Sequence, residues 1–305
     1  MTVLVVGSVA LDSVETPFGK AEDVLGGSAN FFAAAASLLT PVQLVGVVGT
    51  DYPMERLEPL AARNVDLAGL ERADGTSFRW RGRYRHDLNA AETLETHLGV
   101  FSRFSPKIPD QFRDAPFVFL ANIDPRLQLD VLNQVRRPKL VACDTMNFWI
   151  QSRRPDLIEL FRKVDLVTLN DGEARQLSEK VNLVQAAKWI MDLGPRHVII
   201  KKGEHGAFMF SRDSVFFATA YPLESVFDPT GAGDSFAGGF IGYLARTGDL
   251  SDANMRRAVM YGSALGSFAV EKFSTERLMT LTREEVDARV RQLRNLTAFE
   301  EELSA

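Results

Sequence analysis

The sequence has little of what disulfide frameworks, zinc sites and membrane segments require. It contains one cysteine, Cys143, in 305 residues, which excludes an internal disulfide and a cysteine-based zinc site. Cys143 lies in an apolar run, where we expect a buried structural thiol rather than a nucleophile. The four histidines are scattered without the spacing of metal ligands. No apolar run approaches the ~18 residues of a transmembrane helix, and the first residues lack the basic segment of a signal peptide.

An excess of positive charge is also missing. The chain has 35 Lys and Arg against 40 Asp and Glu, a net charge of −5. No block of basic residues is long enough to form a nucleic-acid or membrane surface. We therefore expect a cytoplasmic protein whose partner is a small molecule, with neither nucleic acid nor membrane as a partner.

Two common nucleotide-binding motifs are absent. A dinucleotide-binding oxidoreductase needs Gly-x-Gly-x-x-Gly after its first strand, but this chain continues there as Gly7-Ser8-Val9-Ala10. A P-loop needs Ser or Thr after its Gly-Lys pair, and Gly19-Lys20 is followed by Ala21. The sequence therefore indicates neither a dinucleotide-binding oxidoreductase nor a P-loop kinase.

Short runs of apolar, often β-branched residues recur along the chain and predict strands buried on both faces. They lie at 3–9, 42–48, 117–121, 139–143, 166–169 and 197–201. Helical patterns separate or follow them at 28–39, 128–135, 156–163, 171–177, 183–193, 235–246, 252–270 and 283–296. This alternation predicts an α/β fold with a doubly wound, mostly parallel sheet and helices on both faces, in one domain spanning residues 1–305.

One segment differs from the continuous apolar runs, because apolar and charged residues alternate at 76–84. The pattern predicts half-exposed antiparallel strands. We interpret about 11–17 and 73–101 as a small antiparallel β lid over a pocket, although an ordinary edge hairpin has the same pattern. Its aromatic residues Phe78, Trp80 and Tyr84 could stack on a nucleobase or form the core of a homodimer through the lid.

The most informative motif begins at Asp228 and reads Asp-Pro-Thr-Gly-Ala-Gly-Asp-Ser-Phe-Ala-Gly-Gly-Phe. The N–H groups of Gly231, Ala232 and Gly233 could converge on an anion at the start of the following helix. Asp234 could then accept the proton of an attacking hydroxyl. The plainer interpretation is a glycine-rich turn in which Asp234 only caps the helix.

This motif resembles the C-terminal signature of the ribokinase-like (PfkB) sugar and nucleoside kinases. Upstream, Gly26-Gly27-Ser28-Ala29-Asn30 resembles the family's Gly-Gly-x-x-x-Asn signature, and Asn170-Asp171-Gly172-Glu173 resembles its Asn-x-x-Glu motif. The three matches occur in the family's order and cover essentially the whole chain. The resemblance implies a ribokinase-like fold and phosphoryl transfer from ATP to an alcohol.

The resemblance also implies roles in acceptor binding and catalysis. Asp234 would be the catalytic base, and the N–H groups of Gly231, Ala232 and Gly233 would form the anion hole. The residues that would hold the hydroxyls of the acceptor are Asp12, Gly26, Gly27 and Asn30. Without the family, Asn30 would be interpreted as an ordinary amide on a helix surface.

For the nucleotide, the resemblance implies that Asn170 and Glu173 act near Mg²⁺ and the triphosphate, Glu173 through water. Without the family, Glu173 would be an ordinary charge in a first helical turn. Gly203 and Gly206 match the family's nucleotide loop, and Lys201 replaces its threonine, so that a lysine could instead reach a phosphate. Ser263 would lie at the edge of the adenine pocket.

Two polar residues after the strand at 139–143 are further candidates. Asp144 and Asn147 follow the carboxyl end of this strand, where open α/β sheets bind ligands. A turn-stabilising role is equally compatible with these residue types.

Together these patterns predict a kinase that depends on ATP and Mg²⁺ and phosphorylates a hydroxymethyl group of a small sugar or nucleoside. A sugar- or nucleoside-binding protein of the same fold without catalysis is the alternative, and the presence of Asp234 argues against it. The signatures are shared across the family, so they do not identify the acceptor.

Overall fold

The computed structural model describes residues 1–86 and 88–298. The strands in these ranges are β1 Val3–Val6, β2 Ala10–Thr16, β3 Gly19–Gly26, β4 Val42–Gly49, β5 Val65–Ala73, β6 Phe78–Tyr84, β7 Ala91–His97, β8 Phe117–Leu120, β9 Leu140–Asp144, β10 Leu166–Asn170, β11 His197–Lys201, β12 Ala207–Phe210 and β13 Val215–Ala218. The helices are α1 Ser28–Ala36, α2 Glu58–Ala61, α3 Pro125–Leu132, α4 Asn147–Ser152, α5 Arg154–Phe161, α6 Asp171–Ser178, α7 Leu183–Met191, α8 Ala232–Thr247, α9 Asp252–Ala269, α10 Glu276–Thr280 and α11 Arg283–Asn295. Across these ranges, no helix has both the length and the apolar character needed to cross a membrane.

A nine-stranded sheet forms the centre of the molecule, in the order β13-β12-β11-β10-β9-β8-β1-β4-β5. The strands from β11 to β5 pair in parallel, and β12 and β13 add an antiparallel edge. The chain proceeds from β1 to β4 and β5 on one side and through β8 to β11 on the other. The predicted doubly wound, mostly parallel sheet is confirmed.

The apolar character of the strands follows from burial on both faces. In β1, Val3 and Val5 belong to one hydrophobic cluster, whereas Leu4 and Val6 belong to another, and all four are fully buried. The first cluster includes residues of α1, α8 and α9, and the second includes residues of α5, α6 and α7. A strand between two helical layers has no solvent face, so its apolar run is continuous.

The first predicted strand, 3–9, is too long, because β1 ends at Val6. The chain turns at Ser8 to meet the start of α1, where the Ser8 carbonyl accepts a hydrogen bond from the Ala29 N–H at 3.0 Å. The hydroxyl of Ser8 lies 3.1 Å from that of Ser28. Asp12 therefore lies in β2, which belongs to a second sheet.

This second sheet, named the lid sheet below, has the order β3-β2-β6-β7. Two antiparallel pairs, β2 with β3 and β6 with β7, are joined by parallel pairing of β2 with β6. Strand β3 was not indicated by the sequence pattern. Residues 73–77 precede the lid sheet, because β5 ends at Ala73 and pairs with β4 in the large sheet.

Helices α1 and α8 pack closely because small residues line their contact. A Cβ atom at Gly238 of α8 would lie 2.4 Å from the backbone oxygen of Phe32 in α1. At the start of α8, Gly231 has a φ of 74° and faces the ring of Phe31, whose atoms would lie 2.2 Å from a Cβ. The first turns of α1 and α8 are thereby brought together.

We expect Gly238→Ala to destabilise the protein by about 1–3 kcal/mol, because the added methyl must push α1 and α8 apart. The free energy of unfolding in urea measures this cost. Gly172→Ala is the matched control, because Gly172 is exposed in the first turn of α6 and a Cβ there would approach only Asn170, at 3.3 Å. Equal stability of the two variants would contradict the close packing of the helices.

Candidate active site

The candidate site lies at the edge where the central parallel strands end. Asp144, Asn170 and Lys201 are the last residues of β9, β10 and β11. Neighbouring parallel strands present their carboxyl ends at one edge of the sheet, and open α/β sheets bind ligands outside that edge. The turn before α8 reaches this edge and completes the site.

Asp228 organises the turn before α8. Its buried carboxylate accepts hydrogen bonds from the N–H groups of Thr230 at 2.9 Å and Ser274 at 3.0 Å. The Ala232 N–H donates to the Pro229 carbonyl at 3.2 Å, so it is used within the turn. The N–H groups of Gly231 and Gly233, at the start of α8, precede the carbonyls that could accept them inside the helix. Two of the three expected anion-hole donors are therefore available.

Asp234 lies in the first turn of α8 among other carboxylates. Burial and the negative charge of Asp144 raise its pKa to about 8, Lys201 acts in the opposite direction, and Asp12 contributes a further rise. A carboxylate with a pKa near neutrality is suited to act as a general base. The structure thus brings Asp234 and Asp12 into one electrostatic environment.

Asp12 and the glycine pair, which were predicted to bind the acceptor, lie close together. A Cβ atom at Gly26 would lie 2.0 Å from the carboxyl carbon of Asp12, and one at Gly27, where φ is 90°, would lie 2.5 Å from the Ser8 carbonyl. Only glycine allows the carboxylate to lie so close to the chain. Burial and the charge of Asp228 raise the pKa of Asp12 to about 7, although the Gly27 N–H opposes this rise.

Asn30 is fully buried and holds this region together. Its side-chain NH₂ donates to the Gly26 carbonyl at 2.7 Å and to the Tyr52 hydroxyl at 3.1 Å. Its Oδ1 is buried without a hydrogen-bond partner in the described ranges. Tyr52 was not identified from the sequence, although its position after the carboxyl end of β4 was an available signal.

Asn170 and Glu173 form a capping box at the start of α6. The Asn170 side chain accepts from the Glu173 N–H at 2.8 Å, and the Glu173 carboxylate accepts from the Asn170 N–H at 2.7 Å. Burial and the nearby Asp144 raise the pKa of Glu173 to about 7. Each residue therefore has a structural role, while the Asn170 NH₂ group and one Glu173 carboxylate oxygen lie outside the capping box.

Lys201 occupies the centre of the site. Its Nζ lies 2.9 Å from Oδ2 of Asp144, and the two side chains are only 17% and 6% exposed. A Cβ atom at Gly233 would lie 3.0 Å from the same Nζ. Burial alone would lower the pKa of Lys201, but neighbouring carboxylates, Asp144 first, raise it above its ordinary value. Asp144 thus belongs to the site, whereas Asn147 is exposed at the start of α4.

The predicted nucleotide loop follows β11. Gly203 has a φ of 54°, and a Cβ there would lie 2.2 Å from Oδ1 of Asn89, between β6 and β7. Gly206 has a φ of 88° and lies against the backbone of Ala218. Ser263 is buried in α9, one turn before Gly266, which faces the start of α8.

The lid sheet contacts the turn before α8. The buried Tyr84 hydroxyl accepts a hydrogen bond from the Thr230 hydroxyl at 3.3 Å. Burial and the charges of Asp228, Asp12 and Asp234 raise the pKa of Tyr84 to about 12. The Trp80 ring lies over Gly82, where a Cβ would be 2.0 Å from it. The sequence indicated aromatic residues in this segment, but not that Tyr84 contacts the motif at Asp228.

Several known proteins are similar to this chain in sequence or in fold. The cytidine kinase of Thermococcus kodakarensis is 29% identical over 252 residues, which are 81% of this chain and 89% of that protein. The nucleoside kinase of Methanocaldococcus jannaschii has a similar fold, with a TM-score of 0.76 at 20% identity over 95% of this chain and 98% of that one. The aminoimidazole riboside kinase of Salmonella enterica, solved with aminoimidazole riboside and an ATP analogue, also has a TM-score of 0.76, at 21% identity over 95% of this chain and 100% of that one.

The family model of the pfkB family carbohydrate kinases matches residues 3–281, nearly the whole chain. Its members are ATP-dependent enzymes that phosphorylate hydroxyl groups, and the resemblance inferred from the three sequence motifs is confirmed. The chain therefore belongs to the pfkB family of carbohydrate kinases.

Proposed function

We propose that this protein transfers the γ-phosphoryl group of ATP to a hydroxymethyl group of a nucleoside, in the presence of Mg²⁺. The observation that carries the proposal is the position of Asp234. It lies in the first turn of α8, in one electrostatic environment with Asp12 on the acceptor side and Lys201 on the nucleotide side. A base at this point can receive the hydroxyl proton as the oxygen attacks phosphorus.

The acceptor side favours a neutral compound with several hydroxyls. Asp12 and Asp228 are buried carboxylates, and no Lys or Arg forms an ion pair with either in the ranges that the structure describes. A phosphate or carboxylate on the acceptor would be repelled there. Hydroxyls can instead donate to Asp12, which fixes their orientation.

A nucleoside is favoured over a free sugar by two observations. Trp80 lies opposite Asp12 in the pairing of β2 with β6, so its ring could offer aromatic surface to a base held near Asp12. The cytidine kinase relative acts on a nucleoside, as its name states. The residues that would hold the ribose hydroxyls are Asp12 and the Gly26-Gly27 turn, with Asn30 supporting that turn.

The proposed reaction uses each side chain in one defined way. Asp234 takes the proton from the hydroxymethyl oxygen, which then attacks the γ-phosphorus in line. The N–H groups of Gly231 and Gly233 stabilise the charge on the transferred group. The Gly203 loop and Ser263 would hold the nucleotide, and the lid sheet would exclude water, a competing acceptor.

Magnesium fits the nucleotide side through water. Among the described residues, no group of three or more Cys, His, Asp or Glu could itself enclose a metal ion. Mg²⁺ retains much of its hydration shell, so Glu173, with one carboxylate oxygen outside the capping box, would hold it by a water-mediated contact near Asn170. The bound ion would offset negative charge on the triphosphate.

The homodimer through the lid sheet stays a prediction, but the aromatic side chains that suggested it now support it less. Tyr84 is buried against Thr230, and the ring of Phe78 stacks on that of Phe101 at a centroid distance of 5.2 Å. These aromatic side chains are thus used within the protomer. Light scattering at micromolar concentration would test the dimer.

We expect Asp234→Asn to lower turnover by ~10²-fold or more, because the positioned base is lost. Ligand binding should remain largely intact, since the amide has nearly the same shape. Steady-state rates and calorimetric titration with the acceptor measure the two effects. Asp252→Asn is the matched control, because Asp252 occupies the first turn of the neighbouring helix α9. Turnover near that of the wild type in the Asp234 variant would contradict the proposed base.

The pH dependence should follow the ionisation of Asp234. The base is active when deprotonated and its pKa is raised to about 8, so kcat/KM should rise as the pH increases through the neutral range and level off above this pKa. Below this pKa it should fall about tenfold per pH unit from Asp234 alone, and more steeply below the pKa of about 7 of Asp12, which must also be ionised to accept the hydroxyls. A rate that is constant from pH 6 to pH 9 would contradict this assignment.

The acceptor can be identified with a panel of substrates. With ATP and Mg²⁺, we expect turnover of cytidine or another nucleoside, weaker turnover of ribose, fructose or inositol, and none of phosphorylated sugars. Coupled detection of ADP measures these rates. Preference for a sugar phosphate would contradict the acidic acceptor side, and turnover of none would favour the non-catalytic binding protein.

A further inference from the structure

Lys201 lies at a place where a positive charge is unfavourable without an anion. A Cβ on Gly233, the second residue of α8, would lie 3.0 Å from its Nζ. The N-terminus of a helix carries partial positive charge, which repels an ammonium group and attracts anions. The Asp144 carboxylate, 2.9 Å from Nζ, holds the lysine there.

Fold stability alone gives no reason for this buried pair. Removing two charges from water costs several kcal/mol, and apolar residues of similar volume often stabilise a protein equally well or better. The family pattern has a threonine at this position, so a neutral side chain is compatible with the strand. The cost of burial indicates a functional use for the charge.

The glycine at position 233 makes the ammonium group available to a ligand. Because Gly233 has no side chain, Nζ of Lys201 can lie close to the first turn of α8, only 3.0 Å from where a Cβ at this position would be. Asp234, in the same turn, is close enough to affect and be affected by the charge of Lys201. A phosphoryl group attacked by a hydroxyl next to Asp234 would lie beside this ammonium group.

We propose that Lys201 is a catalytic residue that binds the phosphoryl group during transfer, and that Asp144 is its positioning residue. This inference rests on the proposed kinase function. The acceptor oxygen forms a bond to the γ-phosphorus, the bond to the bridging oxygen breaks, and the electron pair leaves with ADP. The hydroxyl proton goes to Asp234. Lys201 keeps its protons and donates a hydrogen bond to a non-bridging oxygen, where negative charge must be stabilised.

The test compares Lys201→Met, Lys201→Thr and Lys201→Arg with Lys202→Met as the matched control. The Lys202 Nζ lies 5.6 Å from the centre of the Phe208 ring, whereas the Lys201 Nζ lies beside Asp144 and Gly233. We expect Lys201→Met and Lys201→Thr to lower kcat by ~10²–10³-fold, the loss seen when one charge-stabilising donor is removed. Lys201→Arg should restore part of the rate, and Lys202→Met should leave it unchanged.

Binding measurements separate catalysis from a structural role. Lys201→Met should weaken binding of a non-hydrolysable ATP analogue but leave binding of ADP, which lacks the γ-phosphoryl group, close to that of the wild type. Asp144→Asn should lower kcat less than Lys201→Met, because the lysine keeps its charge but loses its anchor. Circular dichroism melts identify any variant that does not fold, and the threonine variant serves if the methionine variant fails.

Two results would overturn the inference. Rates within about threefold of the wild type in the Met and Thr variants would exclude a catalytic role, since loss of a charge-stabilising donor costs far more. If the binding of ADP and of the ATP analogue weakens equally, Lys201 maintains the shape of the site and does not bind the transferred phosphoryl group. Failure of the wild-type enzyme on every acceptor would contradict the proposed function, whereas the two binding measurements need no acceptor.

Discussion

The close contact of α1 with α8 is the constraint on which the candidate site depends. Both helices begin at the same end of the molecule, one after the Gly26-Gly27 turn and the other at Gly231. Because Gly238 lies against the backbone of Phe32, the axes approach more closely than larger side chains would permit. This distance sets the separation between Asp12, the proposed acceptor-binding residue, and Asp234, the proposed base.

The second organising feature is the concentration of carboxylates around one lysine. Asp144, Glu173 and Asp234 all influence the charge of Lys201, and burial makes each ionised carboxylate costly unless it has a partner. Such an arrangement is a poor way to stabilise a fold. It suits an enzyme that must bind a cation-complexed triphosphate and then stabilise charge as it moves from one oxygen to another.

The lid sheet shows what an alternating sequence pattern can predict and what it cannot. Alternation at 76–84 identified strands that differ from the buried ones, and the structure has β6 there. Strand β3 was not predicted, because its apolar and polar residues alternate weakly and two consecutive residues, Glu22 and Asp23, are charged. The alternating aromatic face suggested a dimer, but in the structure Tyr84 contacts Thr230 of the same chain. Pattern alone shows that a face is apolar and not what covers it.

The sequence by itself determined the fold class, and its motifs identified the residues that are candidates for binding and catalysis. Continuous apolar runs require burial on both faces, and the motif at Asp228 is specific enough to indicate an anion-binding turn next to a base. Tertiary structure alone decided which groups share one environment. The salt bridge between Lys201 and Asp144 and the contact of Tyr52 with Asn30 join segments whose relative positions depend on packing. Local preferences act over a few residues, whereas these contacts depend on how helices and strands far apart in the chain are brought together.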